Sequence, residues 1–271
     1  MNAKDSYALV NGLNMYYEIH GSGESLVLLH SGLATIDMLF AQLLPLLAET
    51  RQVIAVELQA HGHTADIDRP LRFELMADDI AALIKHLGRG RADLFGYSLG
   101  GGVALQTAIR HPDVVRRLVV VSATYKRDGW YPEVLAGMAS INAEAMVGSP
   151  IHEAYVRAAP RPEDWPRLSA KLRQLLSEDY DWTEDVAAIK APTLLVVGDA
   201  DSVRPAHMME LFGLLGGGKA DGAMGGLPNA QLAVLPGATH FSILARTDLL
   251  LPIITPFLNT AMPVLEERQD V

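Results

Sequence analysis

The chain has 271 residues, 49% of them hydrophobic, and 22 basic against 32 acidic side chains give a net charge of −10. That length and apolar content suffice for one domain with a sizeable core and an inserted subdomain, and they exclude disorder as the default. The acidic balance argues against a surface that tracks phosphates, so nucleic acid is not an expected partner; the absence of cysteine excludes disulfides, a cysteine nucleophile and thiolate metal sites.

Residues 1–12 hold one lysine and no apolar core of a secretory signal, and the apolar stretch at 249–258 is shorter than a bilayer span and broken by prolines. The expectation is a cytoplasmic protein with no membrane partner. Along the chain, residues 6–10 and 13–20 read as strands joined by Asn11-Gly12, a hairpin signal. Residues 25–29 read as a fully buried strand, 38–48 as a helix and 52–56 as another buried strand. The pattern over 74–87 predicts an amphipathic helix whose Leu75, Ile80, Leu83, Ile84 and Leu87 share a face, with Gly88 to end it. A short strand at 92–95, a glycine-rich turn, a helix over 101–108 and a buried strand at 118–121 follow.

Residues 125–190 break this alternation, with no clear buried strand, several helix-like stretches, many prolines and all three tryptophans. They read as a helical cap inserted into a core made of 1–124 and 191–271. Alternation resumes with a strand at 193–197, a helix over 205–215, a strand at 231–235 and a helix over 242–258. The rhythm predicts an α/β fold: a mostly parallel eight-stranded sheet with an antiparallel N-terminal strand and helices on both faces. The seven glycines of 213–226 predict a long mobile loop, which lacks the Lys-Ser/Thr ending of a phosphate loop, and the tail at 266–271 is expected to fray.

The turn Gly96-Tyr97-Ser98-Leu99-Gly100 places one serine between glycines, directly after a strand and before a helix. Such a turn presents a nucleophilic hydroxyl beside helix amides; the competing reading is a serine that merely caps the helix. A serine hydroxyl is a weak nucleophile at neutral pH, so the first reading requires an imidazole to take its proton and a carboxylate to orient that imidazole. Downstream, Gly198-Asp199-Ala200-Asp201 lies just after a buried strand and Pro236-Gly237-Ala238-Thr239-His240 just after the next strand, where parallel sheets hold their chemistry. Either aspartate suits the carboxylate role on residue type alone. His61 and His63 share a short loop, but no carboxylate–histidine cluster with metal spacing accompanies them, so no metal is expected.

In this order the chain resembles the α/β-hydrolase superfamily, specifically its small cap-bearing esterase-like members. The resemblance runs over essentially the whole chain and rests on the early strand pair, Leu29-His30-Ser31-Gly32-Leu33, Ala60-His61-Gly62-His63-Thr64, the serine turn, Gly-Asp-Ala-Asp and Gly-Ala-Thr-His. It implies Ser98 as nucleophile, Asp201 rather than Asp199 as the acid, and His240 as the base. Leu99 N–H, next to the nucleophile, is one expected oxyanion donor. Aligning His30-Ser31-Gly32 with the family's turn makes Gly32 N–H the second, with Leu33 in reserve. Three positions depart from the family's pattern: Ser31 stands where glycine is usual, and Glu57 and Ala60 where aspartate and glycine are common. The methyl of Ala60 predicts that this position avoids a positive φ.

The implied reaction is cleavage of a small or medium carboxylic ester through an acyl-enzyme, with a small-molecule ester as partner and no cofactor. The same three residues also serve lactonases, carbon–carbon bond hydrolases and cofactor-free perhydrolases. A non-catalytic ligand-binding protein of the same fold is the alternative of another class. Ser31, Tyr97, Trp130, Tyr131, Tyr155, Trp165 and Trp182 are the candidate pocket walls, each weighed against a plain packing role. Oligomeric state is not legible in the sequence.

Overall fold

In the computed structural model, which describes residues 4–220 and 228–260, the apolar runs form one eight-stranded sheet. Its strands are β1 Lys4–Val10, β2 Leu13–His20, β3 Ser25–Leu29, β4 Gln52–Val56, β5 Ala92–Tyr97, β6 Val115–Val121, β7 Thr193–Ala200 and β8 Ala230–Thr239. They lie in the order β1-β2-β4-β3-β5-β6-β7-β8. β1 and β2 form an antiparallel hairpin, and both turn residues, Asn11 and Gly12, take the positive φ that a tight two-residue turn demands. β2 runs antiparallel to β4, and every pairing from β4 through β8 is parallel.

The central strands are apolar throughout because both faces are covered. Val27 and Leu29 of β3 join one core cluster while Leu26 and Leu28 join another, and Leu118 and Val120 of β6 are divided in the same way from Val119 and Val121. On the first face lie α3 (Phe73–His86), α4 (Leu99–Arg110) and α9 (Pro205–Leu214). On the second lie α1 (Ile36–Phe40), α2 (Leu43–Leu47) and α10 (Thr247–Asn259). None of the described helices is long and apolar enough to cross a membrane.

Three expectations need correction. The helix expected over 38–48 is two short ones, because Pro45 has no N–H to offer the Ala41 carbonyl and its ring crowds that oxygen. The helix expected over 242–258 is a 3-10 turn at Ile243–Ala245 followed by α10, since Arg246 leaves the helical region at ψ 54°. Ala60 does take a positive φ, 66°, with its methyl buried in the first core. In α3, Met76, Ile80, Leu83 and Ile84 are buried, whereas Leu75 and Leu87 lie half-buried at the flanks. Residues 221–227 of the expected glycine loop and the expected frayed tail at 266–271 lie outside the described residues.

Between β6 and β7 the chain runs through α5 (Pro132–Ala139), α6 (Pro150–Ala158), α7 (Trp165–Ser177) and α8 (Thr183–Ala187). Charge ties α7 to the sheet body. Lys171 Nζ reaches both oxygens of buried Asp66 at 2.9 and 2.7 Å and the carbonyls of Ile67 and Arg69 at 2.9 and 2.7 Å. Arg167 adds a 2.7 Å contact to the same carboxylate.

Candidate active site

Ser98 stands at the junction of β5 and α4 with φ 55° and ψ −117°, a conformation L-residues seldom adopt. The junction closes only because its neighbours lack side chains. A Cβ on Gly96 would meet the Gly100 carbonyl oxygen at 2.2 Å, and one on Gly100 would meet the Leu29 oxygen at 2.2 Å. The Ser98 N–H donates to Val121 O at 3.0 Å, tying the turn to β6. The serine hydroxyl makes no capping bond to α4; it lies 3.1 Å from His240 Nε2.

β8 carries His240 one residue past its end, and β7 delivers Asp201 past a register shift at Gly198–Ala200. His240 Nδ1 lies 2.8 Å from Asp201 Oδ1. The Tyr97 hydroxyl donates to the His240 carbonyl, so the residue before the serine supports the histidine from beneath. Asp201 is buried and accepts three further bonds: from Ser122 Oγ at 2.5 Å, Gly198 N–H at 3.2 Å and Val203 N–H at 3.0 Å. Burial alone would raise its carboxyl, but the bonds from His240, Ser122 and Val203 hold it below the usual carboxylate range. Asp199 is exposed and accepts from Gly237 N–H at 2.8 Å, away from the histidine.

The loop after β3 is fixed by His30. Its Nε2 accepts the Leu58 N–H at 3.0 Å, which leaves Nδ1 as the donor to Ser31 O at 2.7 Å. Burial pushes His30 down to about 3, so the ring stays neutral in this role. Ser31, Gly32 and Leu33 share the cavity wall with Ser98 and Leu99, and Leu33 turns the chain at φ 60°. The loop and cap hydrogen bonds of the described residues leave the Leu99, Gly32 and Leu33 N–H groups without a protein acceptor. His61 is buried with Nδ1 on Gln59 O at 2.8 Å, and His63 pairs with Glu57 at 2.8 Å. Both rings serve the loop. Among the described residues no group of three or more His, Asp or Glu side chains could hold a metal ion.

A cavity of about 680 Å³ opens at Ser98. Its wall is apolar, built from Leu39, Phe73, Val134, Met138, Ile141, Leu172 and others, and among the described residues no Asp, Glu, Lys or Arg lines it. Of the candidate walls, Ser31, Tyr97 and Trp130 line this space. Tyr131, Tyr155, Trp165 and Trp182 do not. Tyr131 accepts the Val134 and Leu135 N–H groups at the start of α5. Trp165 packs on Tyr155 at 5.3 Å and donates to Ala143 O at 3.0 Å. Trp182 fills the space between Phe73 and Tyr180, 5.2 and 4.7 Å away. Sequence reasoning passed over Phe73, Thr124, Tyr180 and Phe241 as cavity residues, and Ser122 as a partner of Asp201. Among these, Ser122 carries a positional signal, directly after β6 and before the break in rhythm.

Residues 24–247 match a family model described as the alpha/beta hydrolase fold. Among curated proteins the chain is 26% identical over 257 residues to a putative carbamate hydrolase RutD of Azorhizobium caulinodans, covering 86% of this chain and 91% of that one. It is 28% identical over 270 residues to a pimeloyl-[acyl-carrier protein] methyl ester esterase of Neisseria meningitidis serogroup B, covering 90% and 93%. Among solved structures, an enol-lactonase from Burkholderia xenovorans LB400 superposes with a TM-score of 0.72 at 22% identity, over 94% of this chain and all of that one (100%). That likeness is one of fold.

Proposed function

The chain belongs to the α/β-hydrolase fold family, and we propose that it is a serine hydrolase that cleaves neutral carboxylic esters of small to medium size through an acyl-enzyme on Ser98. The observation that carries this reading is the continuous relay from Ser98 Oγ to His240 Nε2 at 3.1 Å and from His240 Nδ1 to Asp201 Oδ1 at 2.8 Å.

In this reaction His240 Nε2 takes the Ser98 proton as Oγ attacks the ester carbonyl. The ionised Asp201 keeps the proton on Nδ1, so that Nε2 faces the serine as acceptor, and stabilises the imidazolium that forms. Negative charge gathering on the carbonyl oxygen is met by Leu99 N–H, at the start of α4, and Gly32 N–H, on the loop that His30 steadies. His240 then protonates the departing alcohol. In the second step it activates water to release the acid and restore the serine. The route needs no metal or cofactor.

Substrate class follows from the wall. A charged acyl group would lose its hydration in a cavity where no described residue supplies a carboxylate, ammonium or guanidinium partner, whereas an alkyl or aryl group gains from burial there. The helical segment 125–190, as a cap, supplies Trp130, Val134, Met138, Ile141 and Leu172 to that wall. The Neisseria relative's name, a methyl ester esterase, supports the ester as the bond class. Hydrolysis of chromogenic short-acyl esters by the wild type and by Ser98→Ala tests the reading: turnover lost in the variant is expected, and equal turnover in both would sink it.

A further inference from the structure

Thr124 and Tyr180 line the same cavity, and their hydroxyl oxygens lie 2.5 Å apart. Two hydroxyls carry two protons, and their mutual bond uses one. Trp130 also meets the Tyr180 hydroxyl, but its indole N–H can only donate, and no other side-chain or backbone acceptor for either hydroxyl is found among the described residues, so one O–H of the pair lacks a protein acceptor whichever of them donates. The surroundings offer it none. Phe73 and Trp182 pack on the Tyr180 ring at 5.5 and 4.7 Å, and the wall around them is hydrocarbon. Of the other hydroxyls of the lining, Tyr97 donates to the His240 carbonyl, Ser31 contacts Gly32 O at 3.4 Å and Ser98 faces His240, while Ser202 stands alone with no second hydroxyl beside it among the described residues.

A purely hydrocarbon substrate that drives water from this wall strands the spare O–H, while one bearing an oxygen there satisfies it. We infer that the Thr124–Tyr180 pair is a specificity determinant of the Ser98 site, receiving a carbonyl or hydroxyl oxygen carried on the hydrocarbon part of the ester. This rests on the serine-hydrolase reading above. The preferred substrate class narrows accordingly, from plain alkyl esters to neutral oxo- or hydroxy-acyl esters.

Either hydroxyl alone retains its own proton, so each single variant, Thr124→Val or Tyr180→Phe, keeps part of the preference and only the double variant removes it. The test compares kcat/KM for p-nitrophenyl heptanoate with its 3-, 4-, 5- and 6-oxo analogues. For at least one analogue the wild type is expected to favour the oxo ester by about fivefold to tenfold, the worth of one hydrogen bond, and the double variant to bring that ratio to about one. A wild-type ratio near one at every position, or a preference that survives in the double variant, overturns the inference. If the wild type hydrolyses none of these esters, the serine reading itself fails. Calorimetric binding of the same esters to Ser98→Ala then tests the pair alone: tighter binding of one oxo ester, lost on adding Thr124→Val and Tyr180→Phe, supports it, and equal binding overturns it.

Discussion

The Ser122 hydroxyl donates to Asp201 Oδ2 at 2.5 Å, on the carboxylate oxygen that His240 does not use. Ser122 is fully buried and holds φ 51°, so the backbone is bent to aim this one bond. Removing it in Ser122→Ala leaves Oδ2 with only the longer Gly198 N–H bond at 3.2 Å, which loosens the aim of Asp201 on Nδ1 and takes away one of the bonds that keep it ionised. Ester kcat/KM is expected to fall by about tenfold, with most of the loss in kcat, because the orientation of His240 matters most as the imidazolium forms. Steady-state kinetics on a short-acyl ester read this directly, and unchanged kcat would place Ser122 outside the mechanism.

Lys171 fastens α7 to the sheet body through four oxygens around Asp66. Lys171→Met leaves the buried carboxylate with the contacts from Arg167 and Gln59 but without its main counter-charge. Stability measured by urea unfolding should drop by about 2 kcal/mol, less than the cost of a fully stranded buried carboxylate because Arg167 stays on Asp66. A loss below about 0.5 kcal/mol, as for an exposed pair, would contradict that account.

Stability should also fall in mild acid. Burial pushes His30 down to about 3 and His61 down to about 4, both below the ordinary 6.5. Both folded values are depressed, so the unfolded chain takes up protons that the native chain refuses. The stability these two rings contribute is therefore complete above about pH 6.5 and is lost progressively as pH falls from there towards the folded values. The urea midpoint should decline between pH 7 and 5, and His61→Asn, which keeps an N–H for Gln59 O, should flatten that slope. An unchanged slope in the variant would rule His61 out as a contributor.

Filling the cavity should shorten the accepted acyl chain. Ile141 lines the wall from the half-buried segment after α5. Ile141→Trp is expected to lower kcat/KM for an octanoyl ester by about tenfold more than for an acetyl ester. A parallel loss on both esters would mean that the cavity does not hold the acyl chain.

Legibility in the sequence follows burial. β3 and β4 are readable residue for residue because strands covered on both faces need unbroken apolar runs. The positions of Ser98 and Asp201 after such strands, and of His240 after the edge strand β8, are readable from the same pattern, whereas Asp201 is chosen over Asp199 only by the family resemblance. Breaks inside helices are harder: Pro45 divides α1 from α2 through a carbonyl four residues back, and Arg246 interrupts the last helical run through its own ψ. Wall and packing roles are harder still. Trp130 and Trp165 are both buried, yet one faces the cavity and the other Tyr155, because residue type reports that a side chain leaves water and not what it meets. Ala60 shows the same limit in the backbone, as tertiary packing holds an alanine where glycine would be unstrained.

The central claim is that Ser98 is the nucleophile, and stoichiometric reaction with a fluorophosphonate, mapped by mass spectrometry, tests it most directly. The account predicts a single adduct on the peptide containing Ser98, with ester turnover abolished in step with labelling and no adduct in Ser98→Ala. An adduct at another residue, or turnover that persists in fully labelled protein, would contradict it.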